Sequence, residues 1–132
     1  IEVVIALAIL LITSLAMMST ALLGMRTNMI NSLRDEAVGI AEARMNELRN
    51  ERFSPTVTSA LLTATTGTAG TVDGPSVGRN LRGASYVFTR TRVIADINSD
   101  PPAKQVTVTV TWSYRGQPYI HSISTLFRRQ EV

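Results

Sequence analysis

A long apolar run near the start of the chain constrains its fold more than any other feature. Residues 3–25, VVIALAILLITSLAMMSTALLGM, hold no charged side chain. As a helix, a run of this length covers roughly 35 Å, enough to cross a hydrocarbon core of about 30 Å. It is longer than the apolar part of a cleaved secretory signal, which has about 7–15 residues. The run therefore predicts a transmembrane helix, and taken alone it is typical of an ordinary membrane anchor.

A glutamate stands at the edge of this run. The carboxylate of Glu2 is unfavourable next to hydrocarbon, so a charge in this place usually marks a function or a specific partner. The first turn of a helix also favours an acid, because the helix N-terminus carries a partial positive charge. Two interpretations stay open. Glu2 either pairs with an opposite charge inside a bundle of helices or is an interfacial carboxylate that caps its own helix.

Small residues form a stripe along one side of the apolar run. Thr13, Ala16, Thr20 and Gly24 recur at spacings of three and four. Small residues at every fourth position allow helices to approach closely in lipid. The stripe predicts a helix–helix packing face, although a segment rich in Ala, Ser and Thr also produces such a pattern by chance.

After Met25 the pattern becomes that of an amphipathic helix. Apolar residues recur at helical spacing at Ile30, Leu33, Ala37, Ile40, Ala41, Met45 and Leu48. No proline interrupts before Pro55, so residues 1–52 are predicted to form one helix of about 78 Å. We expect a sheet to cover the apolar stripe, because about two to three heptads are too few to favour a coiled coil.

The remaining sequence predicts a small antiparallel sheet. Residues 54–84, rich in Ser, Thr, Ala and Gly, indicate a long loop with a short helical turn at 59–64. Strands are predicted at 85–97, 105–114 and 119–127. The clearest is 105–114, where apolar side chains alternate with Thr and Ser, which predicts that Trp112 is buried.

These elements predict an α+β fold. A long N-terminal helix, apolar in its first half and amphipathic in its second, is packed by a small antiparallel sheet of about three to four strands. We expect residues 1–26 to form the membrane half of the helix. Residues 27–132 are then the head, with the second half of the helix (27–52), a loop (53–84) and the sheet (85–128).

The residue types exclude most catalytic chemistries. The chain has no cysteine, and its single histidine, His121, lies in the last predicted strand without a nucleophile–base pair beside it, where a surface position is expected. No glycine loop with a lysine is present that would bind phosphate. We therefore predict that the chain is not an enzyme and carries no cofactor.

One pattern is typical of a metal site. Asp96, Asn98 and Asp100 have the spacing of the start of a calcium loop, but Pro101 stands where glycine is needed and Thr107 where the closing glutamate belongs. A turn rich in Asx residues is the favoured interpretation. Calcium binding is the alternative.

The charge is mildly positive and concentrated toward the C-terminus. The net charge is +3, and residues 53–132 hold eight basic and four acidic side chains. This balance permits contact with nucleic acid or an anionic surface, but the basic residues do not interleave with aromatic ones as they do in single-strand binding proteins. Arg128 and Arg129 are expected to be solvated.

The opening sequence IEVVIALAILLI resembles the start of a mature type IV pilin or type II secretion pseudopilin. In that family the mature chain begins with an FTLIEV-like motif after a peptidase cleavage site. Ile1-Glu2-Val3-Val4 matches the later part of this motif, so we expect the mature protein to begin a few residues earlier. The stretch AEARMNELRNERF, residues 41–53, is similar to the helix end of minor pilins of the PilV and GspI kinds.

This resemblance implies a structural role. The chain would be a minor subunit of a type IV pilus or type II secretion pseudopilus, a single-pass protein of the bacterial inner membrane with a periplasmic head. Its partners would be other pilin or pseudopilin subunits, contacted through the N-terminal helix, and the inner-membrane assembly platform. Glu2 would pair with the free N-terminal amine of a neighbouring subunit. A filament-tip module that binds DNA or a surface is the alternative, and a single-span membrane enzyme is disfavoured by the missing catalytic residues.

Overall fold

A computed structural model describes residues 1–51, 53, 59–65, 70–99 and 102–128. The elements within them are helix α1 (Glu2–Arg49), a 3-10 turn (Ala60–Leu62) and strands β1 (Thr71–Val72), β2 (Val77–Leu81), β3 (Ala84–Ser99), β4 (Pro102–Tyr114) and β5 (Gln117–Arg128). The helix packs against the antiparallel sheet, which confirms the predicted α+β class.

Helix α1 is continuous for 48 residues. It ends at Arg49, three residues before the predicted end at 52, and the backbone N–H of Asn50 donates to the carbonyls of Asn46 and Glu47 at 3.3 and 3.1 Å. A basic residue in the last turn favours this end, because the helix C-terminus carries a partial negative charge. The chain divides into an N-terminal unit, Ile1–Arg34, and a C-terminal unit, Asp35–Val132.

Strands β3, β4 and β5 form a meander with β4 in the middle. The strand order is β1-β3-β4-β5, and β2 pairs with β3 beside β1. All pairings are antiparallel. In the β4–β5 ladder, Trp112 lies opposite Tyr119 and Thr109 opposite Ser122. A register shift between Asp96 and Asn98 interrupts the β3–β4 ladder.

Two identical turns join the hairpins. Arg82-Gly83 connects β2 to β3, and Arg115-Gly116 connects β4 to β5. All four residues have positive φ, at 49°, 79°, 50° and 77°. Two consecutive residues with positive φ are typical of the type I′ turn, whose twist matches that of the flanking strands. The second turn joins the predicted strands 105–114 and 119–127, whereas the hairpin of β2 and β3 was not predicted.

The segment 53–84 is more structured than the loop that the sequence predicted. The 3-10 turn Ala60–Leu62 confirms the expected short helical turn, with the Ser59 hydroxyl accepting from the N–H of Leu61. The strands β1 and β2, however, also lie in this segment. The described sheet therefore has five strands, because pairing with β3 orders two pieces of chain that carry no strand pattern of their own.

The core follows the predicted periodicities closely. On α1 the predicted stripe is buried at Leu33, Ala37, Ile40, Ala41, Met45 and Leu48. At its start Met29 is buried and Ile30 is only half-buried, because the spacing of four between 37 and 33 continues to 29. On β4 every second residue is buried: Val106, Val108, Val110, Trp112 and Tyr114.

Trp112 is buried, as predicted, with 5 % of its surface exposed. Its ring centroid lies 5.9 Å from that of Phe88 and 5.8 Å from that of Tyr119, with which it stacks at 16° between the planes. Aromatic pairs at such distances add to the free energy gained from burial. This cluster fixes β3, β4 and β5 to one another.

Candidate functional site

The apolar part of α1 is the first candidate site. The helix is long and apolar enough to span a membrane: its most apolar 18-residue window has a mean hydropathy of 2.4, and none of that window is buried. Side chains such as Leu10, Met17 and Leu23 are more than half exposed. Burial of apolar surface contributes a free energy of roughly 25 cal/mol per Å². This exposed segment is therefore stabilised by an apolar environment or by contact with other helices.

Three of the four hydroxyl groups in this segment are satisfied within the helix. Thr13 donates to the carbonyl of Leu10, Ser19 to that of Leu15 and Thr20 to that of Ala16, each at 3.0 Å. An unpaired hydroxyl in hydrocarbon costs a few kcal/mol, and these internal bonds remove most of that cost. The polar residues of the run are therefore compatible with lipid.

The four residues of the predicted packing stripe all lie on α1 and are all exposed. No atom lies within 4 Å of the position that a Cβ on Gly24 would take. The hydroxyls of Thr13 and Thr20 are turned back to their own backbone. This side of the helix therefore presents a shallow, open surface of the kind that a second helix can approach closely.

Glu2 is the first residue of α1 and is exposed. The first intrahelical backbone bond runs from the N–H of Ile5 to the carbonyl of Ile1 at 3.1 Å. Glu2 thus lies in the first turn, where the partial positive charge of the helix favours a carboxylate. Among the described residues it forms no ion pair within 4 Å.

A second site, which the sequence analysis missed, is a cluster of the buried Asp73 with the partly buried Arg44 and Arg92, here called the Asp73 cluster. Asp73 follows β1 and is 1 % exposed. Arg44 of α1 donates from Nε to Oδ2 at 2.6 Å and from Nη2 to Oδ1 at 2.8 Å, and Arg92 of β3 donates from Nη1 to Oδ1. Such two-pronged, charge-assisted bonds are among the strongest in proteins. The cluster ties α1 to β3 through the turn after β1.

The electrostatics of this cluster favour the charged forms of Asp73 and Arg44. Burial by itself raises the pKa of Asp73, but the hydrogen bond and charge of Arg44 and the charge of Arg92 outweigh it and leave this pKa below its ordinary value of 3.8. The hydrogen bond to Asp73 in turn raises the pKa of Arg44 above its ordinary value. The cluster is therefore an ionic link at any pH near neutrality.

Two further contacts hold residues 35–49 of α1 on the sheet. Arg79 of β2 pairs with Glu36, Nε to Oε1 at 2.6 Å. At the other end, Nη2 of Arg49 donates to Oγ1 of Thr125 on β5 at 3.4 Å. This part of the helix is thus linked to strands at both edges of the sheet.

The sequence contained one signal for the Asp73 cluster. Arg44 lies three residues after Ala41 and four before Leu48, on the buried side of α1. A charge in an apolar stripe requires a buried counter-charge, and Asp73 is the only acidic residue between Glu51 and Asp96. The pairing could have been proposed on this ground, although the path of the chain could not.

The calcium pattern is described only in part. Asp96 accepts a bond from Nζ of Lys104 at 2.5 Å, Asn98 lies in β3 beside the register shift, and Asp100 lies outside the described residues. The favoured Asx turn and its alternative, calcium binding, are therefore both untested. His121 is half-buried rather than at the surface, opposite Val110 in the ladder.

The described residues thus hold an exposed apolar half-helix of membrane length and an amphipathic half-helix that an antiparallel sheet covers. Comparison of the chain with protein-family models, with curated proteins and with solved structures finds no match.

Proposed function

We propose that the chain is a structural subunit, a minor one, of a type IV pilus or type II secretion pseudopilus. It inserts into the bacterial inner membrane through residues 1–26, with its head in the periplasm. It then enters the filament through the N-terminal helix, in contact with other pilin or pseudopilin subunits and with the assembly platform. The observation that carries this proposal is α1, a single helix with an exposed apolar half and a sheet-covered amphipathic half.

Local features of the apolar half support helix-to-helix assembly. The hydroxyls of Thr13, Ser19 and Thr20 are bonded internally, and the residues of the small-residue stripe are all exposed. In lipid, helices associate through close packing at such residues rather than through the hydrophobic effect. Glu2, once surrounded by apolar helices, needs a cation, and the terminal amine of a neighbouring subunit provides one.

The contacts of the C-terminal unit favour a structural subunit over a tip module that binds DNA. Arg79, Arg92 and Lys104 each pair with a carboxylate of the same chain. These pairs reduce the positive charge that is available to phosphates, on which nucleic-acid affinity mainly depends. We infer no enzymatic role and no cofactor.

The test is Glu2→Ala in a host that assembles filaments. We expect the variant to reach the inner membrane at the normal level, because the apolar run is unchanged, and to be absent from sheared filaments and from cross-linked subunit complexes. Immunoblots of the membrane and filament fractions measure both quantities.

Asp35→Ala is the matched control, since Asp35 is another exposed carboxylate of α1 but lies outside the apolar run. It should enter filaments normally. Normal incorporation of Glu2→Ala would refute the charge-pairing role of Glu2. If the unmodified chain enters neither a pilus nor a pseudopilus, the proposed function itself is wrong.

A further inference from the structure

The sheet has a second face, opposite the buried one. It consists of the residues that alternate with the core positions on β3, β4 and β5, together with their neighbours on β1 and β2. We call it the outer face, and its main members are Val72, Val87, Thr89, Thr91, Val93, Gln105, Thr107, Thr109, Thr111, Ile120, Ser122, Ser124 and Leu126.

The outer face carries almost no charge. The chain has 13 basic and 10 acidic side chains, yet among the described residues only Arg128, at one corner, brings a charge to this face. On a sheet with one solvated face, polar side chains alternate with the core positions, and on this face nearly all of them are neutral. Depletion of charge is characteristic of the centre of a protein–protein interface.

The same face carries the exposed apolar side chains of the C-terminal unit. Among the described residues beyond Met25, the large apolar side chains that are more than half exposed are Val72, Val87, Ile120 and Leu126, at 64, 59, 68 and 63 %. All four belong to the outer face. Their concentration on one side distinguishes them from the scattered apolar residues of an ordinary surface.

The hydroxyl groups between these apolar residues are already hydrogen-bonded to one another. Oγ1 of Thr109 lies 2.9 Å from Oγ of Ser122, and Thr107 donates to Ser124 at 3.1 Å. Nε2 of Gln105 also donates to Ser124, at 3.0 Å. Burying a polar group is costly mainly when it loses its partner, so this face can be dehydrated at small cost.

We propose that the outer face is the docking surface for a second copy of this chain. The two sheets meet face to face about a two-fold axis that runs along β4. A neutral face is complementary to itself, whereas the rest of a chain with net charge +3 repels a second copy. The face has no aromatic side chain among the described residues and no basic cluster, so it lacks the means to stack on bases or sugars or to hold phosphates.

The size of the face fits a weak dimer. Ten residues along a strand and four strands across cover about 33 by 19 Å, on the order of 600 Å² for each copy. Twice this area lies at the lower end of specific interfaces. An axis along β4 places Thr109 beside its counterpart and leaves the two α1 segments, residues 35–49, parallel on the outside of the pair. This proposal does not depend on the proposed function, since two copies can meet in this way outside a filament.

Cysteine cross-linking tests the geometry, because the chain has no cysteine of its own. Stacked sheets lie about 10 Å apart, too far for a direct disulfide, so we expect Thr109→Cys, as the full chain in mild detergent, to form a covalent dimer with a short bismaleimide reagent. Asn46→Cys, on the exposed side of α1, should give none under the same conditions. Equal cross-linking of the two variants would overturn the proposal.

A charge exchange at the same position tests the energetics. Thr109→Lys and Thr109→Glu should each weaken dimerisation at least tenfold in analytical ultracentrifugation, and a mixture of the two should restore a heterodimer. Circular dichroism verifies that both variants remain folded. If the unmodified chain and both variants associate equally, the association occurs through α1 and the outer-face dimer is wrong. A chain that stays monomeric at every concentration also refutes it.

Discussion

Trp112 is the side chain that joins the three long strands of the sheet. We expect Trp112→Ala to lower the free energy of unfolding by about 3–5 kcal/mol, because the residue is 5 % exposed and stacks on Tyr119. Thr109→Ala, on the opposite face of the same strand, should change it by less than about 1 kcal/mol. Urea unfolding followed by circular dichroism compares the two. Equal stabilities would mean that the burial of Trp112 contributes little.

Because of Asp73, we expect the free energy of unfolding to depend on pH. Its pKa is lower in the folded state than its ordinary value of 3.8, so its contribution is complete above that value and is lost as the pH falls through the lower, folded-state pKa. We expect Asp73→Asn to destabilise the fold by about 3 kcal/mol at pH 7, because it removes the counter-charge of Arg92 and the buried counter-charge of Arg44, whose other partner, Glu47, is exposed. The variant should also lose part of the acid-induced drop below about pH 4.

Asp96→Asn is the matched control for that measurement. Asp96 also pairs with a cation, Lys104, but its side chain is 59 % exposed. Exposed pairs contribute about 0–1 kcal/mol, so this variant should follow the unmodified chain at every pH. Thermal melts at a series of pH values compare the two variants. The same dependence of the midpoint on pH for Asp73→Asn and Asp96→Asn would contradict the role of the Asp73 cluster.

At the scale of single residues, sequence patterns predict local properties better than long-range contacts. The burial of Trp112 could be predicted, because alternation along one strand is a local property. No short pattern predicts the contact of Arg44 with Asp73, which lies 29 residues further along, and only the scarcity of acidic residues in that region points to it. The position of Glu2 in the first helical turn could be predicted, whereas the charge that faces it in an assembly belongs to another molecule.

Among the elements, the β4–β5 hairpin depends on the backbone of its turn. Gly116 has φ +77°, a conformation that a side chain disfavours by about 1 kcal/mol, so Gly116→Ala should lower stability by about that amount. Gly78 in β2 has an ordinary φ, and no atom lies within 4 Å of its missing Cβ. Gly78→Ala should therefore be neutral or slightly stabilising. A shift of the urea midpoint in the same direction for both would argue against the type I′ turn.

The strands themselves differ in how far the sequence predicts them. β4 and β5 alternate regularly, and both were predicted to within about three residues. β2, with the sequence VGRNL, has no alternation and contains a glycine, and β1 is two residues long. These strands exist because β3 offers them a ladder partner. The repeated Arg-Gly dipeptide at 82–83 and 115–116 was the one local sign that a second hairpin exists.

At the scale of the whole molecule, two parts of α1 differ in their surroundings. The large apolar side chains of residues 3–25 are exposed, whereas the stripe from Leu33 to Leu48 is buried. The sequence indicates where this change begins, because the charge-free run ends at Met25 and the amphipathic pattern follows it, while the two compact units divide later, between Arg34 and Asp35. It did not predict the neutral outer face, because that face combines residues of five strands whose pairing no pattern specifies.

Because α1 precedes every strand in the chain, it is synthesised before the sheet that covers it. The buried stripe of the helix is complete at Leu48, but β5 ends at Arg128, about 80 residues later. At a synthesis rate of 5–20 residues per second, about 4–16 seconds pass between the synthesis of Leu48 and the synthesis of the end of β5. Hairpins close in about 1–10 μs, so this interval is determined by the ribosome and not by the sheet. Throughout that interval the nascent chain exposes a second apolar surface besides its membrane-length run. Chaperones bind surfaces of this kind, so we expect the chain to need them until the β4–β5 hairpin has been synthesised.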